Sequence, residues 1–173
     1  MTIADNRTPE SILRPWREED IASLVHHANN IKVSRFLTDA FPFPYTEVHA
    51  RQFITDSMSA DPLQRFAIEV GGEAVGSIGI HPQSDIMRLN AELGYWLSED
   101  YWGRGIMTGI IHEVVEYGFK HFDVTRIYAR PFGNNGASAR VLEKAGFTLE
   151  AKIERNIIKN GELLDELIYA IRK

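Results

Sequence analysis

From Gly105 to Phe122 the chain carries Met107, Ile110, Ile111, Val114, Val115, Gly118, Phe119 and Phe122 at positions that share one helix face. An apolar stripe running for more than about four turns needs a broad apolar surface to cover it. The flanking segments supply one, because their period changes from 3.6 to 2. Before the stripe, Phe66, Ile68 and Val70 alternate, Gly71-Gly72 turns the chain, and strands are expected over 73–81 and 91–97. After it, a strand is expected over 126–131, a short helix over 137–145 stopped by Gly146, and two strands over 148–159 and 162–172 around Asn160-Gly161. Upstream, residues 11–15 read as a short strand whose proline suits an edge. Residues 18–29 read as a helix and 31–37 as a second, shorter one. Thr46 is placed to cap a helix running through Phe53, Ile54 and Met58. The expected order, β α α β β β α β α β β with the short 31–37 helix left uncounted, is a mixed α/β domain with one long helix packed on a sheet.

At 173 residues the chain fits a single domain over 11–173 with a core that needs no covalent staples. Residues 1–10 are polar and are expected to form a loose tail; Asn6-Arg7-Thr8 there matches a glycosylation acceptor pattern that means nothing in a cytosolic chain. There is no cysteine, which removes disulfides, thiolate metal sites and any cysteine nucleophile. The six histidines show no metal-protease spacing, so no metal is expected. A formal net charge of −5 argues against a surface that tracks nucleic-acid phosphates. With no signal peptide and no apolar run of membrane-spanning length, no membrane partner is expected and the cytoplasm is the default location.

Two turns carry the chemistry. Gly103-Arg104-Gly105-Ile106-Met107-Thr108 lies between an expected strand and the long helix. Glycines there let the backbone approach a ligand, and a helix start offers unpaired N–H groups suited to phosphate. The same glycines would also serve a tightly packed turn. A dinucleotide-binding spacing fails, since its third glycine position holds Thr108, and no Gly-Lys-Ser/Thr is present for a nucleoside triphosphate loop. This disfavours a nucleotide-dependent oxidoreductase. The second turn, Asn134-Asn135-Gly136-Ala137-Ser138, opens the next helix; Asn135 and Ser138 suit either a ligand amide or a helix cap. Two such turns on consecutive strand–helix units open at the same end of a sheet.

With these turns, three further runs carry a likeness: Leu13-Arg14-Pro15-Trp16-Arg17-Glu18-Glu19-Asp20, Ala91-Glu92-Leu93-Gly94-Tyr95-Trp96-Leu97, and Asn135 through Ser138-Ala139-Arg140-Val141-Leu142-Glu143-Lys144-Ala145-Gly146-Phe147. Together they resemble the GNAT superfamily of N-acetyltransferases, and within it the branch that acetylates the N-terminal alanine of ribosomal proteins. The resemblance implies a mostly antiparallel mixed sheet with splayed middle strands and flanking helices. It implies acetyl-coenzyme A as co-substrate, with no metal, and a primary amine as acceptor, foremost a protein N-terminus. A polyamine or antibiotic amine, or a coenzyme-A-binding module without catalysis, are the alternatives. Many members of the branch are homodimers.

By the same resemblance, the pantetheine arm runs between the strands ending at Leu97 and Pro131, touching Trp96 and Leu97. Pyrophosphate sits on Gly103, Arg104, Gly105, Ile106, Met107 and Thr108, Asn135 holds the arm, and Arg104 or Arg140 approaches phosphate. The family's loop begins with Gln or Arg where this chain has Trp102, and ends on a small residue where this chain has Met107; Met107 is expected to point into the core. Gly109 stands where the branch commonly has glutamate. Glu92, on one strand face with Gly94 and Trp96, is the expected base, with a structural ion pair as its other reading. Ser138 is the expected acid, since the family's tyrosine position is Leu142 here. A backbone N–H near Leu97 would serve the oxyanion. The loop Phe41-Pro42-Phe43-Pro44-Tyr45 is the expected acceptor-side wall, with Tyr45 as its contact and core packing as the competing role of Phe41 and Phe43.

Overall fold

A computed structural model describes residues 10–173; of the expected loose tail only Glu10 falls among them. The strands are β1 (Ser11–Arg14), β2 (Arg65–Val70), β3 (Glu73–Pro82), β4 (Asn90–Leu97), β5 (Arg126–Ala129), β6 (Thr148–Lys159) and β7 (Glu162–Arg172). The helices are α1 (Ile21–Ala28), α2 (Ile31–Ser34), α3 (Glu47–Met58), α4 (Ile106–His121) and α5 (Gly136–Lys144). One seven-stranded sheet runs in the order β1-β2-β3-β4-β5-β7-β6. Only β4 and β5 pair in parallel, as expected of two strands joined through a helix. The second expected helix stops at Ser34, a single turn begun by Asn30, whose side chain accepts from the Lys32 N–H.

Strand alternation sends side chains to two faces, and a separate core grows on each. On one face α4 and α5 cover Ile78, Ile80, Leu93, Leu97 and Ile127. On the other, α1 and α3 cover Ala67, Ala74 and Trp96, with Trp16 and Leu24 between them. Gly118 lets α4 approach the sheet: a Cβ there would lie 2.2 Å from Ile80 Cδ1. Met107 points into the first core at 7% exposure, as expected. On the second face Arg14 is buried between two carboxylates, donating to both Asp20 oxygens at 2.7 Å and to Glu69. This ties the β1 edge to the turn that leads into α1.

The opening in the sheet follows from register. β4 and β5 pair at Asn90–Arg126, Ala91–Ile127 and Glu92–Tyr128, and at no later position. β5 then ends at Ala129 and turns toward β7, where Phe132 bridges to Glu166. Among the described residues, 93–97 of β4 therefore keep β3 on one side and no strand on the other.

Candidate active site

Ser98 N–H donates to Val75 O at 2.8 Å, which sets the alternation of the β3–β4 ladder. Gly94 and Trp96 spend their backbone groups on β3, while Tyr95 and Leu97 turn theirs into the gap beside β5. Leu97 O is met there by the indole N–H of Trp102 at 2.7 Å. The Leu97 N–H faces the same gap, where the sequence placed an oxyanion donor.

The chain leaves β4 through a short 3-10 turn, Glu99–Tyr101, and enters α4 over Gly103 and Gly105, with φ of 72° and 75°. Those positive φ values are what glycine allows at little cost. Gly105 caps α4 with no side-chain hydrogen bond, so the first N–H groups of a sixteen-residue helix stay open at the gap's end. Gly103, Arg104 and Gly105 are exposed, Ile106 and Met107 are buried, and Thr108 is half-buried. The Arg104 guanidinium folds back, donating to Asp100 O at 2.6 Å and lying 5.2 Å from the Tyr101 ring centre. Arg140 is exposed on the first turns of α5.

Asn135 and Ser138 meet as cap and first-turn residue: Asn135 Oδ1 accepts from the Ser138 N–H at 3.2 Å. Asn135 thus spends its carbonyl on the helix and keeps its amide donors. Ser138 Oγ lies 2.6 Å from the Tyr95 hydroxyl. Burial pushes the Tyr95 phenol up to about 12, against the opposing effect of the Ser138 bond. Leu142 is wholly buried, so a phenol reaches this site from β4 instead of from α5. In the sequence Tyr95 is marked only by its parity, opposite to that of Glu92, Gly94 and Trp96, which turns it toward α5.

Glu92 opens on the other face and is an ion-pair partner: Arg130 Nε lies 2.9 Å away and the Tyr128 hydroxyl 3.4 Å. Arg130 also reaches the buried Glu166 at 3.2 Å, and Asn156 donates to that carboxylate. Bonding to Glu92 raises the Arg130 pKa above its ordinary value. His81 pairs with Glu92 across β3–β4. Burial, then Arg65, lowers the His81 pKa, and Glu92 opposes them. Glu92 and Ser138 thus flank the gap from opposite faces without touching.

Two expected residues sit differently. The Trp96 side chain is 9% exposed and packs edge-on to Phe41 at 5.7 Å in the second core, so its ring does not line the gap. Tyr45 is 5% exposed and Phe43 49%, the reverse of the expected roles in that loop. Tyr45 N–H donates to Asn29 Oδ1 at 3.0 Å and its ring stacks toward Phe41, so it braces the loop. Burial pushes its phenol up to about 12. A surface concavity of about 710 Å³ between α1 and α3 is lined by Glu18, Glu19, Glu47 and Arg51, away from the gap. Among the described residues no group of three His, Asp or Glu side chains could hold a metal. No helix there is long and apolar enough to cross a membrane.

An open strand edge running to an uncapped helix start accepts an extended ligand that ends in phosphates. A family model for the acetyltransferase (GNAT) domain matches residues 11–148. The uncharacterized N-acetyltransferase YoaA of Bacillus subtilis is 37% identical over 101 residues, covering 58% of this chain and just over half, 56%, of YoaA. The spermidine N(1)-acetyltransferase of Escherichia coli K12 is 26% identical over 87% of this chain and 79% of its own. Among solved structures, the RimL ribosomal L7/L12 alpha-N-protein acetyltransferase in complex with coenzyme A superposes with a TM-score of 0.81 at 21% identity, covering 94% of this chain and 93% of its own. Mycobacterium smegmatis RimJ in complex with CoA-disulfide gives 0.81 at 24%, covering 95% and 83%. The chain belongs to the GNAT acetyltransferase family.

Proposed function

We propose that this protein transfers acetyl from acetyl-coenzyme A directly to the α-amine of a peptide or protein N-terminus. The thioester supplies an activated acetyl group with a thiol as leaving group. The amine nitrogen forms a bond to the carbonyl carbon, the C–S bond breaks, the ammonium proton leaves to a base, and the thiolate sulfur takes a proton. Residues 93–97 of β4 hold the pantetheine arm by strand-like pairing, with Asn135 contributing its amide. Gly103 to Thr108 take the pyrophosphate on backbone N–H groups, and Arg104 or Arg140 approaches phosphate. The Leu97 N–H faces the developing oxyanion. Ser138 gives its proton to the departing sulfur, whose ordinary pKa is about 8.5, and regains one from water, while the Tyr95 hydroxyl at 2.6 Å holds its Oγ in place. With its phenol near 12, Tyr95 stays protonated throughout.

The observation that carries the choice of acceptor is the Glu92–Arg130 pair at 2.9 Å. A carboxylate whose oxygen is engaged by a guanidinium must give up part of that contact before it can take a proton, whether it acts directly or through water. An α-amine, with pKa about 7.7–8.0, is roughly one-tenth neutral at pH 7 and asks little of it. A primary amine near 10.4 is neutral in fewer than about one molecule in a thousand. Likeness to RimL and RimJ supports the same choice, and likeness to the spermidine enzyme names its rival.

A thiol-release assay separates the two, and it is clean because the chain has no cysteine of its own. Peptides with a free α-amine should exceed spermidine in kcat/KM at pH 7. Turnover of spermidine without turnover of any peptide would overturn the proposal. Glu92→Gln should lower kcat most at low pH, and unchanged kinetics across the range would remove Glu92 from the chemistry.

A further inference from the structure

Gly94 is a glycine that the fold does not need. A Cβ at Gly76 would lie 2.6 Å from Trp96 O, one at Gly79 2.6 Å from His81 Nε2, and one at Gly118 2.2 Å from Ile80 Cδ1. Among the described residues a Cβ at Gly94 would meet nothing within 4 Å, and the backbone there has no positive φ. Yet Gly94 sits inside β4, where a glycine weakens the strand and forgoes a side chain to pack. Gly109 is equally unconstrained, but it lies on the exposed side of α4, away from the β4 floor.

What surrounds Gly94 says what the space is for. Strand parity puts Glu92, Gly94 and Trp96 on the α1/α3 face, opposite their β3 partners His81, Gly79 and Ser77. Two glycines thus lie side by side in the sheet. The His81 ring folds over Gly79 and leaves Gly94 exposed. Glu92 and His81 bound this bare patch at one end, and the buried Trp96 bounds it at the other. Past Glu92 no strand among the described residues lies on the β5 side, so the patch opens into the gap. The opposite face of the same stretch carries Tyr95, Ser138 and the start of α4, which is where the phosphate end of the co-substrate belongs. The bare patch is on the side left for the acceptor.

We infer that Gly94 is a specificity-determining residue: its missing side chain admits the acceptor's main chain against β4, so that the α-amine reaches the gap between Glu92 and Leu97. A glycine inside a strand lets another backbone approach closely, and a peptide N-terminus carries its backbone right up to the reacting nitrogen. This rests on the α-amine reading proposed above.

Gly94→Ala and Gly94→Val test it. The unfolding midpoint of both variants without ligand should equal or exceed that of the wild type, and coenzyme A binding by calorimetry should be unchanged. KM for a peptide acceptor should rise roughly tenfold in Gly94→Ala, and kcat/KM should fall on the order of a hundredfold in Gly94→Val, the scale of a displacement near 1 Å at a reacting centre. Wild-type KM in both variants would overturn the inference. Parallel loss of coenzyme A binding would also overturn it, by giving the position to the co-substrate. If the wild type takes spermidine and no peptide, the α-amine reading fails by itself. The same series run with spermidine then reports on Gly94: a raised KM keeps the steric role, and an unchanged one ends it.

Discussion

Replacing Trp102 by phenylalanine removes one hydrogen bond and little else. The indole N–H donates to Leu97 O at 2.7 Å, tying the glycine turn back to the last residue of β4. Elsewhere in the turn, Arg104 donates only to Asp100 O, within the turn itself. The ring is 44% exposed, so phenylalanine keeps most of its packing. A neutral hydrogen bond contributes about 0.5–1.5 kcal/mol net. If that energy holds the loop in its binding conformation, its loss weakens coenzyme A by about two- to twelvefold, since about 1.4 kcal/mol is a factor of ten. Titration calorimetry with coenzyme A reads this directly. KM for acetyl-coenzyme A should rise by the same factor with kcat unchanged, because the loop does not touch the reacting atoms. Trp102→Gln, which keeps an N–H donor, should lie nearer to the wild type. The unfolding midpoint should fall by no more than about 2–4 °C, the scale of about 1 kcal/mol in a chain of this size. Trp16 and Trp96 are buried at 2% and 9% exposure, so a fluorescence change on binding reports chiefly on Trp102. Equal affinities for wild type and Trp102→Phe would refute the reasoning.

Ser138→Ala should slow turnover by about a hundredfold or more, with a small change in coenzyme A affinity, while Tyr95→Phe should cost less. Wild-type turnover in Ser138→Ala would leave Ser138 as part of the Asn135 cap. The Arg14–Asp20 pair makes stability depend on acid. Burial alone would raise the Asp20 pKa, but hydrogen bonds from the Arg14 side chain and the Arg17 N–H outweigh it and hold the carboxyl below its ordinary 3.8. A depressed folded pKa stabilises the protein above the unfolded value, and that stability is lost as pH falls through the folded one. Asp20→Asn should therefore cost about 3 kcal/mol near neutrality and flatten the loss of stability below about pH 4. Identical acid limbs in urea titrations of the two proteins would contradict this.

Much of the fold was legible because its signals are local. The stripe from Met107 to Phe119 lies in α4, the alternation around Phe66 and Ile68 forms β2, and Asn160-Gly161 turns β6 into β7. The positive φ of Gly103 and Gly105 was legible for the same reason, since turn chemistry depends on neighbours in the chain. The family motifs also sit within short runs, so the GNAT assignment needed no coordinates. The site was legible only as a set of residue types. Phe43 and Tyr45 are two residues apart in one loop, and no local rule says which of them the core takes; the structure buries Tyr45.

By itself, then, the sequence determined the elements, their order, the glycine turn and the family. Tertiary structure decided which strands part, because β4 and β5 share only three register pairs before β5 bends toward β7. It decided that Arg130 claims Glu92 and that Tyr95 meets Ser138. It also decided that Gly94 lies bare beside Gly79. Each of these joins residues far apart in the chain. Periodicity sets which face a side chain takes, but only strand register and the packing of both helical layers set what it meets there.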